Sequence, residues 1–296
     1  MPRPSFFVVG APKCGTTSLC HYLGQHPDIF IPARKELNFF ASDLNLHRYY
    51  RSEREYVDAF QDARGKICGE GTVWYLYSET AASEIKSFNS AAKVIICLRN
   101  PTEMTYSLYR YFLYMGWEDI PDLATALEQE KEDIASATDR HTYEKRVTGR
   151  VYTLAPMYYE QVARYLDVFE PSNVKTILFD DLRNSASNVY KEICEFLDVS
   201  PDPRAVLEIQ NPGKQWKCHK LQAWQRHPPE SIKRMWHFLP LPMRSAISRH
   251  VRELNTRVAA PPLDPDLRRR LNGIFRPDVE RLSGLIGRDL MHWVAE

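Results

Sequence analysis

The segment Gly10-Ala11-Pro12-Lys13-Cys14-Gly15-Thr16-Thr17-Ser18-Leu19 holds the residues of this 296-residue chain best suited to chemistry. It follows the apolar run Phe6-Phe7-Val8-Val9 and leads into a helical pattern, so it reads as a turn from strand to helix. In such a turn successive backbone N–H groups converge on one point, and the helix start adds roughly half a positive charge there. Thr16, Thr17 and Ser18 add hydroxyl donors, so the segment suits an anion. The nucleoside-triphosphate loop GxxxxGK[ST] would share Gly10, Gly15 and Thr17, but Thr16 stands where its lysine belongs. The lysine is instead Lys13, inside the turn, where it presses on the group nearest the strand end.

A second cationic point lies downstream. Lys93-Val94-Ile95-Ile96-Cys97-Leu98 reads as a buried strand ending in Arg99. Asn100 suits the cap of the next helix, Pro101 its first position, and Glu103 completes a capping-box spacing. Arg99 then stands at the carboxyl end of a parallel strand, where open α/β sheets bind ligands. Ser107, about two turns on, is close enough in azimuth to share a phosphate with it, and an arginine fork plus a hydroxyl suits a dianion. Taken alone, Arg99 also fits a structural ion pair.

These points need a sheet to hold them. Apolar runs over 6–9, 94–98 and 174–179, with shorter candidates at 29–31 and 67–69, predict strands, the three longer runs buried on both faces. Helical patterns lie over 17–23, 78–88, 101–114, 155–169 and 187–197. The alternation predicts an α/β fold of the P-loop type: a doubly wound parallel sheet flanked by helices, as a single domain over 1–296. The charged stretch 119–150 reads as an inserted helix and loop, either a lid over a site or a solvated surface helix. Residues 201–296 are Pro- and Arg-rich and form the helical or irregular end of the same domain. Within them Arg268-Arg269-Arg270 reads as a solvated helix face.

Composition narrows the partners. Thirty-nine basic and 38 acidic residues leave a net charge of +1, without the basic excess that a nucleic-acid binder normally carries. No apolar run approaches the ~20 residues that span a bilayer, and the N-terminus enters a strand without a leader pattern. The six cysteines show neither CxxC pairs nor metal-ligand spacing, which suits free thiols. The expectation is a cytoplasmic, metal-independent protein acting on neither nucleic acid nor membrane; its oligomeric state is not legible.

The chain resembles a known family. Residues Phe7-Val8-Val9-Gly10 through Leu19 look like the 5′-phosphosulfate loop of sulfotransferases that use 3′-phosphoadenosine 5′-phosphosulfate (PAPS). The likeness is closest to the branch of bacterial small-molecule and heparan-sulfate enzymes. It continues through Gln25-His26-Pro27, Lys35-Glu36-Leu37-Asn38-Phe39-Phe40, Gly69-Glu70, Tyr75-Leu76, Leu98-Arg99-Asn100-Pro101 and Tyr106-Ser107. Phe275-Arg276-Pro277-Asp278, Gly287-Arg288-Asp289-Leu290 and Trp293 close the series. The resemblance implies that Lys13, Cys14, Gly15, Thr16, Thr17 and Ser18 hold the 5′-phosphosulfate, and that Arg99 and Ser107 hold the 3′-phosphate, with PAP (adenosine 3′,5′-bisphosphate) as product. It adds a weaker nucleotide contact at Lys217, where Lys217-Cys218 replaces the Arg-Ser pair of many relatives. Trp216 fits either stacking on adenine or packing in the core.

Sulfuryl transfer resembles phosphoryl transfer: in-line attack, a loose transition state and little covalent work for the protein. It needs a cation at the bridging oxygen of the leaving phosphate and a base for the acceptor proton. Lys13 is the expected cation and Glu36 the expected base, the latter by likeness to the heparan-sulfate branch, with Arg34 and Lys35 keeping it ionised. His26 is a rival base, and Glu70 a further candidate. Some relatives carry a catalytic lysine beside that glutamate, where this chain has Gly71. The expected acceptor is a small molecule or carbohydrate, with aromatics such as Trp74, Tyr75, Tyr77 and those of 106–117 available to line a pocket. Two other readings stand beside this one. Asp180-Asp181 after a strand imitates the acidic pair of an ATP- and magnesium-dependent P-loop kinase, although capping or ion pairing also explains it. The other is a catalytically silent binding protein on the same fold.

Overall fold

Strand β1 (Pro4–Gly10) is buried at every position but Ser5, as a strand covered on both faces must be. In the computed structural model, which describes residues 2–137, 149–208, 215–216, 243, 256–257 and 261–295, it forms the middle of a five-stranded sheet. The other strands are β2 (Ile29–Phe30), β3 (Ile67–Gly71), β4 (Lys93–Leu98) and β5 (Val174–Leu178), in the order β2-β3-β1-β4-β5 with every pairing parallel. Helix α1 (Thr16–Gly24) follows β1, α2 (Glu53–Asp58) precedes β3, and α3 (Ala81–Phe88) leads into β4. From β1 the chain first builds β2 and β3 on one side, then crosses to β4 and β5 on the other. With right-handed crossovers, that reversal sends α1 to one face of the sheet and α3 to the opposite face. It also opens a crevice at the carboxyl ends of β1 and β4, where Gly10 and Leu98 end their strands.

Beyond β4 run α4 (Pro101–Met115), α5 (Leu123–Ser136) and α6 (Tyr158–Val168). After β5 come α7 (Phe179–Asn184) and α8 (Ala186–Phe196), and α9 (Pro265–Ile286) lies near the end. The pair β6 (Gln215–Trp216) and β7 (Thr256–Arg257) is antiparallel and separate from the main sheet.

The fold class is the one the alternation predicted, and its boundaries differ where side chains start or end an element. Strand β5 stops at Leu178, because Asp180 and Asp181 sit favourably in the first turn of α7. Helix α3 starts at Ala81, since the Ser78 hydroxyl accepts from the Thr80 and Ala81 amides and ends the turn before it. Helix α6 starts at Tyr158, where the buried Asp278 carboxylate of α9 accepts from the Tyr158 and Tyr159 amides. Burial, opposed by those two amides, pushes that carboxyl up to about 6.

The stretch expected as a charged insertion is tied down over its described part. Asp122 caps α5, whose Leu123, Ala126, Leu127 and Glu130 are buried. Arg150 bridges Glu118 and Asp133 at 3.0 Å each. Residues 138–148, in the later part of the expected lid, lie outside the described residues. The arginine run on α9 is not merely solvated: Arg268 binds Glu103 of α4 at 2.6 Å, and Arg270 pairs with Glu128 of α5.

Candidate active site

Two glycines shape the loop between β1 and α1. Gly10 has φ 149°, and a methyl group there would lie 2.5 Å from the Val73 carbonyl oxygen and 2.7 Å from Leu76 Cβ. Gly15 caps α1 at φ 85°, and a methyl there would meet Leu182 at 2.8 Å. The first-turn amides of a helix have no partner within it, and the N-cap here is a glycine, which brings no side chain to cap them. The loop is therefore an open cradle of amide donors. Backbone oxygens cannot yield as side chains do, so Gly10→Ala combines strain with overpacking. It is expected to lower unfolding free energy by about 2–4 kcal/mol, read as a lower denaturation midpoint at unchanged slope.

Lys13, in the left-handed region at φ 64°, points its ammonium over the Tyr111 ring, 4.5 Å from the centroid. Burial first, then the charge of Arg99 and more weakly those of Arg110 and Lys35, lower its pKa to about 8 against an opposing effect from Cys14. Cations brought together at that cost suit a bound anion. Arg99 donates to the Lys13 carbonyl at 3.4 Å and lies 4.6 Å over the Phe179 ring. It also faces Glu103 at 3.5 Å, so Glu103 does not complete the expected capping box; Asn100 still accepts from the Glu103 amide at 3.1 Å. Ser107 is half-buried one turn beyond Glu103 and one turn before Tyr111, which puts it on the same stripe of α4. Thr16 and Ser18 are buried and Thr17 is exposed. The Cys14 thiol is buried 3.7 Å from the Tyr158 hydroxyl, and burial pushes it up to about 12, so it stays protonated.

Glu36 lies on the connection after β2, also left-handed at φ 62°. Its amide donates to the Gly71 carbonyl at 3.0 Å, and its carboxylate accepts from the Val73 amide at 2.9 Å and pairs with Lys35. The stem of Lys35 crosses Gly71: a methyl on that glycine would meet Lys35 Cε at 3.4 Å and Cys20 Sγ at 2.7 Å. Burial alone would lower the Lys35 ammonium, but the Glu36 carboxylate, with smaller effects from Cys20 and Cys97, leaves its pKa raised. Tyr111 joins the two halves of the site. Its ring carries Lys13, and its hydroxyl, raised chiefly by burial, also feels the charges of Glu36 and Lys35.

The other candidates are engaged elsewhere. His26 is buried, with Nδ1 accepting from the Asp28 amide at 3.1 Å and Nε2 2.7 Å from the Ser200 carbonyl oxygen. Asp180 accepts from the Trp293 indole at 3.0 Å, and Asp181 pairs with Arg288 at 3.2 Å. Glu70 is 1% exposed and surrounded by hydroxyls. Lys217 and Cys218 lie outside the described residues. Arg110 and the path of Lys35 were missed in the sequence, and Tyr111 stood there only among the pocket aromatics of 106–117. The spacing of Tyr111 four residues after Ser107 was the one available signal.

An amide cradle with converging cations, and a carboxylate close by, can bind a polyanion and take a proton from a nucleophile beside it. The model of the family described as sulfotransferase domain matches residues 3–223. The bifunctional heparan sulfate N-deacetylase/N-sulfotransferase 3 of Mus musculus is 30% identical over 206 residues, which is 67% of this chain and 22% of that protein. This chain thus spans about a fifth of the length of that relative. A solved sulfotransferase from Alicyclobacillus acidocaldarius is 30% identical, with a TM-score of 0.72 and full coverage of both chains. The sulfotransferase domain from the curacin biosynthetic pathway, at 16% identity and a TM-score of 0.51 over 98% of this chain and all of that one, shares the fold. A family match over residues 3–223 of 296 places the chain among the sulfotransferases, whose reaction is sulfuryl transfer.

Proposed function

We propose that this sulfotransferase takes its sulfuryl group from PAPS and passes it to a hydroxyl or amine of a small-molecule or carbohydrate acceptor, releasing PAP. The observation that carries the reading is the glycine-capped amide cradle at the start of α1, with Lys13 inside the loop and Arg99 against the Lys13 carbonyl. In the reaction the bond from sulfur to the bridging oxygen of the 5′-phosphosulfate breaks, and its electron pair stays on that oxygen. Lys13 neutralises the charge developing there, with the amides of Cys14 to Ser18 holding the phosphate and sulfuryl oxygens. Arg99 and Ser107 hold the 3′-phosphate, with Lys217 as a further nucleotide contact. A new bond forms from sulfur to the acceptor atom, and Glu36 accepts the proton that atom loses. The engagement of Asp180 and Asp181 with Trp293 and Arg288 favours this scheme over an ATP–magnesium kinase. Among the described residues no helix is long and apolar enough to cross a membrane. The five cysteines among them are buried free thiols, and we assign the protein to the cytoplasm on that chemistry.

Calorimetry separates the readings. PAP is expected to bind without metal and more tightly than ATP–magnesium, and the opposite preference would overturn the donor assignment. The pH dependence adds a second check. Lys13 is depressed to about 8, and a bound polyanion favours its charged form. Binding above pH 8 therefore takes up as much as one proton, and PAP affinity is expected to fall up to ~10-fold per pH unit there. The acceptor is then sought by mass spectrometry of candidates incubated with labelled PAPS.

A further inference from the structure

The connection that carries Glu36 is bent against its preferences. Within six residues Glu36, Asn38 and Ala41 all have left-handed backbones, with φ of 62°, 54° and 68°. Such residues persist only where the surroundings over-determine them. Here the surroundings are side chains of another segment. The Asn38 amide donates to the Thr72 hydroxyl at 3.4 Å, and the Phe39 and Phe40 amides both donate to the Tyr75 hydroxyl, at 2.9 and 3.1 Å. The Ala41 and Ser42 amides donate to the Glu84 carboxylate at 2.7 and 3.1 Å.

A hydroxyl that must accept from two amides has to send its single proton elsewhere. Tyr75 sends it to Glu70 Oε1 at 2.8 Å, Thr72 sends its own to the same oxygen at 2.7 Å, and Tyr56 donates to Oε2. Glu70 is thus the acceptor that turns the lone pairs of both relay hydroxyls toward the loop. Its burial serves this end, since a buried carboxylate needs such donors. Burial pushes it up to about 7 against the three hydroxyls, and the nearby Glu36 charge pushes the same way.

We infer that Glu70 is a positioning residue, which acts through Tyr75 and Thr72 to fix the loop presenting Glu36. This rests on the reading of Glu36 as the base, and the tests keep the two apart. Tyr75→Phe keeps the ring and removes the relay to the Phe39 and Phe40 amides. Peptides covering residues 36–42 are then expected to exchange amide hydrogen at least ~10-fold faster, while those of α1 keep their rates and PAP affinity stays within ~3-fold. Sulfuryl transfer is expected to lose about 10- to 100-fold in kcat, as a base displaced by an ångström would. In a Glu36→Gln background the same change should cost less than ~3-fold, because the group it positions is gone.

Glu70→Leu should act in the same direction; if it does not fold, Tyr75→Phe carries the test. Glu70→Gln keeps one oxygen for Thr72 and Tyr75 while its amide faces Tyr56, and is expected to be the mildest of the three. Unchanged exchange in Tyr75→Phe overturns the inference, and so does a kcat loss that multiplies fully with that of Glu36→Gln. If Glu36→Gln itself transfers sulfuryl groups at the parent rate, the base assignment falls and the exchange rates alone decide the clamp.

Discussion

A Lys13→Met variant is expected to lose at least ~100-fold in turnover and yet to unfold at a higher temperature than the parent protein at pH 7. The first effect follows from the role assigned to Lys13: removing one preorganised donor at a developing oxyanion typically costs two to three orders of magnitude. The second follows from the cost of holding that charge among other cations. Burial and the charges of Arg99, Arg110 and Lys35 hold the Lys13 ammonium down at about 8, against an ordinary value of 10.5. The folded chain therefore binds this proton less tightly than the unfolded chain does, and each pH unit of depression is about 1.4 kcal/mol of charge destabilisation. Methionine keeps the length of the stem and a favourable sulfur contact with the Tyr111 ring without the charge. The sign is testable by pH. Between about 8 and 10.5 the native lysine deprotonates while the unfolded one does not, so the parent gains stability and the variant's advantage should shrink. Thermal unfolding at pH 7 and pH 10, beside steady-state transfer, checks both halves. A variant that is less stable than the parent at pH 7 would mean that the converging cations are compensated within the chain.

The frame of this site was readable because it depends on local pattern. The run before Gly10 and the run before Arg99 are continuous and apolar, as parallel strands require, and both cations stand just beyond a strand end. What was not readable depends on partners distant in sequence. Glu103 has capping-box spacing, but Arg99 and Arg268 compete for its carboxylate and win it from Asn100. Asp278, 120 residues beyond Tyr158, sets where α6 begins. Gly71 read as the absence of a lysine, whereas in the fold it is the clearance across which Lys35 reaches Glu36. Glu70 read as a spare base because its three hydroxyl donors come from Tyr56, Thr72 and Tyr75, two of them on neighbouring turns that no periodicity marks.

Glu36→Gln is expected to lower turnover at least ~100-fold while leaving PAP affinity within ~3-fold of the parent. The glutamine is nearly isosteric, and its carbonyl oxygen can still accept from the Val73 amide, so the loop and the cradle should hold their places. What disappears is the capacity to take a proton, together with the anion that keeps Lys35 charged in its buried position. Two rate effects are then superimposed, and a Lys35→Met variant separates them: it removes the pair but leaves the carboxylate, so it should cost less than Glu36→Gln. If loss of the ion pair were the whole effect, the two variants would fall equally and the Glu36 carboxylate would have no proton to accept. If instead Glu36→Gln turned over normally, the acceptor proton would have to leave by another route, and Tyr111, whose hydroxyl feels both Glu36 and Lys35, is the next group to replace.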